Sequence, residues 1–232
     1  MTASLLPSIL DLLSPRQCPG CHARLMVTER IACQECMSNI SYTHFSRTPL
    51  DNPMARMFWG LFDIQKAAAL FFYEAGTSMA RVIHALKYDG RQDLAELLGA
   101  MLAAELVDTD FVGDIDAIVP VPLTVQRQRA RGYNQSELMA KGLSMVTGLP
   151  VCTKALRRTD FQSSQTQLNV AQRRQNVEHA FQVDDTVVLR GKHILLVDDV
   201  MTTGATLLAC ATTLLAIPDI RISVATLGLA KM

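Results

Sequence analysis

The 232-residue chain is predicted to have an α/β fold, in which helices flank a mostly parallel sheet, with a small cysteine-rich module before it. Three observations predict this. Apolar strand-like runs alternate with segments of helical spacing beyond residue 66. The run His193–Val197 is continuously aliphatic after its histidine, as in a strand buried on both faces of a parallel sheet. Four cysteines form two C-x-x-C pairs near the start.

The composition excludes several classes of protein. Hydrophobic residues make up 49% and charged residues 19%, whereas a disordered chain combines low hydrophobicity with high net charge. Gly 12 and Pro 9 are ordinary for this length and exclude collagen-like and low-complexity chains. The length suits one medium-sized domain with a small appendage.

No apolar run reaches the ~18 residues that a membrane-spanning helix needs. Residues 5–13 are predicted as a short amphipathic helix rather than a signal peptide, because a basic leading region is missing and Asp11 interrupts the apolar run. We therefore expect a cytoplasmic protein without a membrane span, in which thiols stay reduced and clustered cysteines indicate a metal more often than a disulfide.

The four clustered cysteines are predicted to bind structural zinc. Cys18 and Cys21 form one pair, and Cys33 and Cys36 form the second after eleven residues. Two such turns supply the four thiolates of a closed tetrahedral zinc site. A redox C-x-x-C motif is the rival interpretation, but it calls for one pair within a larger strand–helix unit.

A turn-prone stretch at 47–53 separates the predicted units, which are 1–50, a short helix with a zinc-ribbon-like module, and 51–232, the α/β domain. Hydrophobic spacing predicts the elements of the second unit. In order they are a strand at 67–73, helices at 78–87 and 93–107 with Asp93 as N-cap, a strand at 116–122, a helix at 135–146, a strand at 193–197, a helix at 205–217 and a strand at 221–229.

Segment 157–167 is polar and lacks periodicity, which is typical of a lid or binding loop. The zero net charge of the chain also hides an uneven distribution. Residues 117–180 carry nine Lys and Arg against three Asp and Glu. Because Arg matches phosphate geometry, this excess indicates a site for a bounded anion, although a solvated basic face is an equal alternative on charge alone.

The most informative segment follows the strand at 193–197. Asp198 and Asp199 stand at the predicted carboxyl end of the strand, where open α/β sheets bind ligands. Small hydroxyl residues and Gly204 then turn the chain into a helix, whose first N–H groups favour an anion. A phosphate site beside two carboxylates predicts a 5-phosphorylated ribose, with hydroxyls or water-bound Mg²⁺ facing the acids.

Other phosphate motifs are missing: neither G-x-x-x-x-G-K-[ST] nor G-x-G-x-x-G occurs. The simpler alternative is that the two acids only cap the following helix.

The strand, the acidic pair and the run Thr202–Thr206 resemble the phosphoribosyl-diphosphate (PRPP) motif of type I phosphoribosyltransferases. The runs 119–123 and 127–135 resemble the "VPVP…RGxNQ" pattern of the ComF/GntX family, and residues 158–181 resemble its "RT…Q…L…R…N…AF" pattern. The four-Cys module is also that family's arrangement. Residues 87–90 resemble a family "KY.G" run, although a plain helix end explains them equally well.

The resemblance implies a type I phosphoribosyltransferase-like fold and assigns roles to single residues. The acidic pair would hold the ribose hydroxyls, directly or through Mg²⁺ bound with PRPP. Segment 157–167 would be a hood loop that brings Arg157 and Arg158 to the diphosphate. The other implied PRPP-binding residues are Thr202, Thr203, Gly204, Ala205 and Thr206 for the 5-phosphate, and Pro120, Val121 and Pro122 with Arg127, Arg129 or Arg131 for the diphosphate.

Two functions remain open. One is transfer of phosphoribosyl from PRPP to an acceptor that the sequence does not name, in a protein linked to DNA uptake or nucleotide utilisation. The alternative is a non-catalytic PRPP or nucleotide sensor, or an accessory protein that handles single-stranded DNA with the DNA-uptake machinery. Aromatic residues total 6%, so stacking platforms for DNA are sparse. Homo-oligomerisation is compatible with the sequence but not indicated by it.

Overall fold

The computed structural model describes residues 15–159, 180–184, 186 and 188–231. Its strands are β1 (Ile64–Tyr73), β2 (Ala117–Pro120), β3 (Leu156–Arg158), β4 (Phe181–Val183), β5 (His193–Met201) and β6 (Arg221–Ala230). Four of them form a parallel sheet in the order β1-β6-β5-β2, and β3 and β4 form a separate antiparallel pair. The predicted α/β class with a mostly parallel sheet is therefore confirmed.

Seven helices and one 3-10 turn occur in the described residues. The turn is Phe45–Arg47. The helices are α1 (Gln34–Ser38), α2 (Pro53–Arg56), α3 (Ser78–Tyr88), α4 (Gln92–Asp108), α5 (Val125–Arg131), α6 (Gln135–Thr147) and α7 (Ala205–Leu214).

Strand β5 lies inside the sheet between β6 and β2, and its first five residues are buried. Parallel neighbours leave no edge open to water along this stretch, which explains the continuous apolar run. Because Pro120 pairs with Val197 and Asp198 pairs with Thr226, the carboxyl ends of β2 and β5 meet at one edge. This edge carries the candidate site.

Helices α4 and α6 cross closely because each has a glycine at the contact. A Cβ on Gly99 would lie 2.2 Å from the Met139 carbonyl oxygen, and a Cβ on Gly142 would lie 2.0 Å from the Glu96 carbonyl oxygen. Alanine at either position would push the helices apart. This contact fixes α6, whose first residues face the end of β5.

Two predicted boundaries are wrong near charged residues. Strand β5 continues to Met201, past the predicted end at 197, so the acidic pair lies within the strand. Backbone pairing of Val200 with Gly228 of β6 extends it. Helix α4 begins at Gln92 with Arg91 as N-cap residue, because Asp93 does not cap the helix but forms a two-point ion pair with Arg91.

Other differences concern short elements. Helix α7 ends at Leu214, three residues before its predicted end. Residues 157–158, predicted as loop, belong to β3 because they pair with Phe181 and Gln182 of β4. The unpredicted α5 is a polar helix without a buried face, so it carries no hydrophobic periodicity. The predicted helix at 5–13 and the rest of the hood loop, 160–167, lie outside the described residues.

The cysteine-rich segment packs on the sheet domain through helix α3. The Arg81 guanidinium donates to the Gly20 carbonyl oxygen, and a Cβ on Gly20 would touch the Ser78 Cβ at 3.0 Å. The hydrophobic core includes residues on both sides of the predicted boundary at 50/51. The division into 1–50 and 51–232 stays a prediction. Within the described ranges, none of the helices combines the length and apolarity that crossing a bilayer requires.

Candidate functional site

The four predicted metal ligands come together. The Sγ atoms of Cys18, Cys21, Cys33 and Cys36 all lie within 4.8 Å of one another. The Cys18–Cys36 separation is 3.8 Å and the Cys21–Cys33 separation is 3.5 Å. Tetrahedral zinc with ~2.3 Å bonds to sulfur requires S···S separations of roughly 3.8 Å. The donor set and its spacing therefore fit a zinc ion.

The local backbone favours thiolate at Cys18. Burial opposes ionisation, but the backbone N–H groups of Cys33, Gly20 and Cys21 stabilise the charged form, and the pKa of Cys18 falls to about 7. Three of the four cysteines are buried, and four sulfur ligands leave no open coordination position. This cluster is suited to holding structure together and not to catalysis.

Asp199 is fixed from three sides. Its Oδ1 accepts from the Lys87 ammonium at 2.8 Å and from the Val200 N–H at 2.6 Å, and its Oδ2 accepts from the Gln135 side-chain amide at 2.6 Å. The Asp199 side chain is 7% exposed. Both oxygens of this carboxylate are thus engaged by the chain itself.

Asp198 is less enclosed. Its Oδ1 accepts from the Ser136 hydroxyl at 3.0 Å and from the Asp199 N–H at 2.9 Å. Burial and the neighbouring Asp199 charge raise the pKa of Asp198 to about 7, although the same N–H, Ser136 and Lys87 act in the opposite direction. The oxygens of such adjacent carboxylates can accept hydrogen bonds from ribose hydroxyls or bind Mg²⁺.

Sequence reasoning left Lys87, Gln135 and Ser136 without assigned roles. Gln135 ends the run 127–135 that resembles the ComF/GntX pattern, Ser136 directly follows it, and Lys87 belongs to the "KY.G" run. These pattern matches are the features of the sequence that point to a role for these residues. Only the packing of α3 and α6 against β5 brings these side chains to the acidic pair.

The predicted 5-phosphate loop forms a small pocket of about 40 Å³, lined by Asp198 and residues 200–207. Gly204 has φ +75°, and an added Cβ would meet the Met201 Cε at 2.7 Å. This N-cap residue of α7 has no side chain to cap the helix, and the Ala205 N–H makes a long 3.5 Å contact with Thr203 Oγ1. The helix therefore begins with N–H groups available to an anion.

The predicted diphosphate residues occupy the neighbouring turn. Pro120 ends β2, and the Val121 N–H donates to the Val197 carbonyl oxygen at 2.9 Å, which holds the turn beside the acidic pair. Pro122 is half-buried in the loop that leads to α5. The Thr124 hydroxyl caps α5 through the Arg127 N–H.

Helix α5 brings arginines to a cleft of about 340 Å³. The Arg131 guanidinium stacks on the Tyr88 ring at 5.1 Å. The cleft is lined by Lys87, Tyr88, Gly90, Arg127, Ala130 and Arg131. Arg129 lies on the same exposed helix but is not among these lining residues. Since Lys87 also contacts Asp199, the cleft and the acidic pair adjoin.

Arg158 and Arg157 differ in their surroundings. The Arg158 guanidinium lies over the Phe181 ring at 5.1 Å. The pKa of the buried Cys210 thiol on α7 is raised by burial and by the charge of Asp198 and is lowered by the charge of Arg158. Arg157 pairs with Gln182 on β4 and with Asp184, which directly follows that strand.

The family model described as "Phosphoribosyl transferase domain" matches residues 91–227, which hold the acidic pair, the glycine turn and the arginine helix. The chain belongs to this family. The predicted resemblance is thereby confirmed at the level of the domain, and relatives confirm it at the level of the chain. "DNA utilization protein YhgH" of Escherichia coli O157:H7 is 29% identical over 85% of this chain and 83% of that protein.

Two further relatives match smaller parts. The YhgH protein of Escherichia coli K12 is 33% identical over a match that covers 59% of this chain and 61% of that protein. "Competence protein F" of Haemophilus influenzae is 38% identical over 40% of this chain and 41% of that protein.

Solved structures give more distant similarities. A glutamine PRPP amidotransferase from B. subtilis, complexed with ADP and GMP, is 23% identical with a TM-score of 0.39, over 56% of this chain and 25% of that chain. Adenine phosphoribosyltransferase from Saccharomyces cerevisiae is 13% identical with a TM-score of 0.36, over 58% of this chain and 69% of that chain.

Proposed function

We propose that this protein binds PRPP with Mg²⁺ and transfers its phosphoribosyl group to an acceptor. The observation that carries the proposal is the common edge of the sheet, where the acidic pair, the open start of α7 and the arginine cleft adjoin. These three features match the ribose hydroxyls, the 5-phosphate and the diphosphate of one ligand.

The 5-phosphate would lie against the N–H groups of Ala205 and Thr206, with hydroxyls from Thr202 and Thr203 nearby. Gly204 lets the backbone approach the phosphate because a Cβ would crowd the turn. Asp198 would accept hydrogen bonds from the ribose, since its carboxylate is the less enclosed member of the pair. Ser136 keeps that carboxylate in place.

Arg127 and Arg131 would bind the diphosphate, and the turn Pro120–Pro122 would lie beside it. Diphosphate leaves from ribose C1 as the acceptor attacks, so negative charge grows on the leaving group and the two guanidinium groups stabilise it. Mg²⁺, when bound, neutralises diphosphate charge, and hard carboxylate oxygens such as those of Asp198 fit this ion. Arg158, to which the family resemblance assigns a diphosphate contact, would add a third guanidinium group.

The four cysteines would hold structural zinc, because the sulfur separations match a tetrahedral site. The names of the relatives link such chains to DNA utilisation and competence. We extend this link to the present chain as a role in handling DNA-derived nucleotides. The acceptor for phosphoribosyl is then a base or an amine from that supply.

The test is isothermal titration calorimetry of full-length, zinc-loaded protein with Mg²⁺–PRPP. We expect binding in the micromolar range, loss of binding in Asp198→Asn and weaker binding in Arg131→Ala. The Arg56→Ala change serves as a matched control, since Arg56 is an exposed residue of α2 that pairs with Asp51. Wild-type protein that gives no heat with Mg²⁺–PRPP overturns the proposal.

A second candidate function rests on the exposed arginine helix with Tyr88 beside it, which could contact single-stranded DNA. Replacement of Arg127, Arg129 and Arg131 by alanine should then flatten the slope of log K against log salt by roughly 0.7 per lost phosphate contact. An unchanged slope removes these arginines as DNA contacts and leaves PRPP as their ligand.

A further inference from the structure

The fixed cation at the acidic pair is Lys87. It lies at the last turn of α3, its side chain is 21% exposed, and its ammonium is 2.8 Å from Asp199 Oδ1. It also lines the arginine cleft. A lysine therefore stands between the two carboxylates and the place proposed for the diphosphate, although the proposed mechanism gives it no part.

Lys87 and its neighbours engage both carboxylate oxygens of Asp199. Val200 N–H shares Oδ1 with Lys87, and the Gln135 amide takes Oδ2. Within the part of the chain that the structure describes, Gln135 Oε1 is buried without a hydrogen-bond partner. The Gln135 Oε1 acceptor thus remains unsatisfied, while both oxygens of the neighbouring Asp199 carboxylate are engaged.

A divalent cation that bound here without a ligand would need these oxygens. Mg²⁺ and Mn²⁺ both prefer carboxylate oxygen, and two adjacent aspartates would otherwise attract either ion. The Lys87 charge both occupies Asp199 and repels an arriving cation at contact distance. Pairing with lysine also reduces the negative charge that the acidic pair presents to a cation.

We propose that Lys87 is a specificity-determining residue that excludes bare divalent cations from the acidic pair. The metal then enters only together with a ligand that carries a diphosphate. Such a ligand brings its own anionic oxygens for the metal and offers the Lys87 ammonium a new partner in the cleft. The second statement rests on the proposed function, whereas the exclusion of bare metal does not.

The experiment measures Mn²⁺ binding to full-length, zinc-loaded protein by the electron paramagnetic resonance signal of free Mn²⁺, with no PRPP present. We expect Lys87→Met to bind Mn²⁺ at least ~10-fold more tightly than wild type, because a charge at contact distance is removed. Lys87→Arg should stay as weak as wild type. Lys141→Met is the matched control, since Lys141 is an exposed lysine on α6.

The double change Lys87→Met with Asp198→Asn should lose the gained affinity, which assigns the new binding to the acidic pair. If Lys87→Met does not fold by circular dichroism, Lys87→Gln is measured in the same way. Equal Mn²⁺ binding by wild type and the neutral variant, or an equal gain in Lys141→Met, overturns the proposal. Because PRPP is absent, this result is independent of whether the protein binds PRPP.

Addition of PRPP to the same samples tests the second statement. In wild type, PRPP should lower the free Mn²⁺ signal by several fold, whereas in Lys87→Met the metal is already bound and the change should be small. A wild-type protein whose Mn²⁺ signal ignores PRPP, after calorimetry has shown that Mg²⁺–PRPP binds, contradicts entry of the metal with the ligand.

Discussion

The two sides of the candidate site are built differently. On the acidic side, Asp199 is buried and held by side chains from α3 and α6 as well as by the backbone N–H of Val200. On the basic side, Arg127 is exposed and Arg131 half-buried on a short helix with no buried residue, and the stacking of Arg131 on Tyr88 is one contact in a wide cleft. The acidic side is preorganised, whereas the basic side is open to solvent.

This difference follows from the physics of charge burial. Carboxylates inside a sheet edge need partners, because an unpaired buried charge costs several kcal/mol. Guanidinium groups in water need none until a ligand arrives. Removal of Asp199 should therefore reduce both stability and binding, whereas changes on the basic side should reduce binding alone.

The largest effect should come from Asp199→Ala. It leaves the Lys87 ammonium and the Gln135 amide without their acceptor, and we expect a loss of ~2–4 kcal/mol in the free energy of unfolding. Urea denaturation followed by circular dichroism measures it. Asp93→Ala breaks an exposed ion pair with Arg91 and should cost less than ~1 kcal/mol. Equal losses in the two variants would contradict a prepared acidic side.

Gly204→Ala should come next. A residue with φ +75° other than glycine costs roughly 1–2 kcal/mol, and the new Cβ would also crowd Met201. Gly148→Ala is the matched control, because Gly148 has φ +75° with no atom within 4 Å of the added Cβ. Gly204→Ala should lose at least as much stability in urea as Gly148→Ala. Calorimetry with Mg²⁺–PRPP should show weaker binding for Gly204→Ala alone.

Loss of Arg127 and Arg131 sharpens the comparison from the basic side. The double alanine variant should keep its unfolding free energy within ~0.5 kcal/mol, since neither side chain is buried. Its affinity for Mg²⁺–PRPP should fall by ~10-fold or more, as charge-assisted contacts are lost. A variant that unfolds at lower urea would show that these arginines stabilise the fold. A variant that binds Mg²⁺–PRPP normally would show that they do not contact the ligand.

The smallest effect concerns pH. The pKa of Asp198 is about 7 in the folded protein and ~3.9 in an unfolded chain, so the folded state binds more protons between these values. Stability should therefore fall as pH rises from 5 to 8. Asp198→Asn should remove about 1–2 kcal/mol of that fall, because Asp198 is only half-buried. Parallel pH profiles for the two proteins would count against the raised pKa.

The sequence predicted the parts of the molecule whose physics is local. Four cysteines at metal-ligand spacing, an aliphatic run for β5 and a glycine turn before α7 each carry their own signal, and each lies where it was expected. Helix α5 carried no such signal because it is polar on every face. The boundary of β5 was missed because pairing with β6, and not hydrophobicity, extends the strand through the aspartates.

Contacts between distant segments were beyond sequence reasoning. Lys87 and Gln135 stand 112 and 64 positions before Asp199, and no periodicity relates them. The crossing of α4 and α6 at Gly99 and Gly142 places Gln135, and the end of α3 places Lys87. These contacts turn two adjacent acids into a fixed pair, which is what distinguishes the acidic side from the basic side.

The most direct measurement is a crystal structure of the zinc-loaded protein with Mg²⁺ and PRPP. We expect the 5-phosphate within hydrogen-bond distance, roughly 3 Å, of the Ala205 and Thr206 nitrogens. The ribose hydroxyls should lie at Asp198 and the diphosphate at Arg127 and Arg131. A ligand bound elsewhere on the protein, or a 5-phosphate placed in the arginine cleft, would contradict this arrangement.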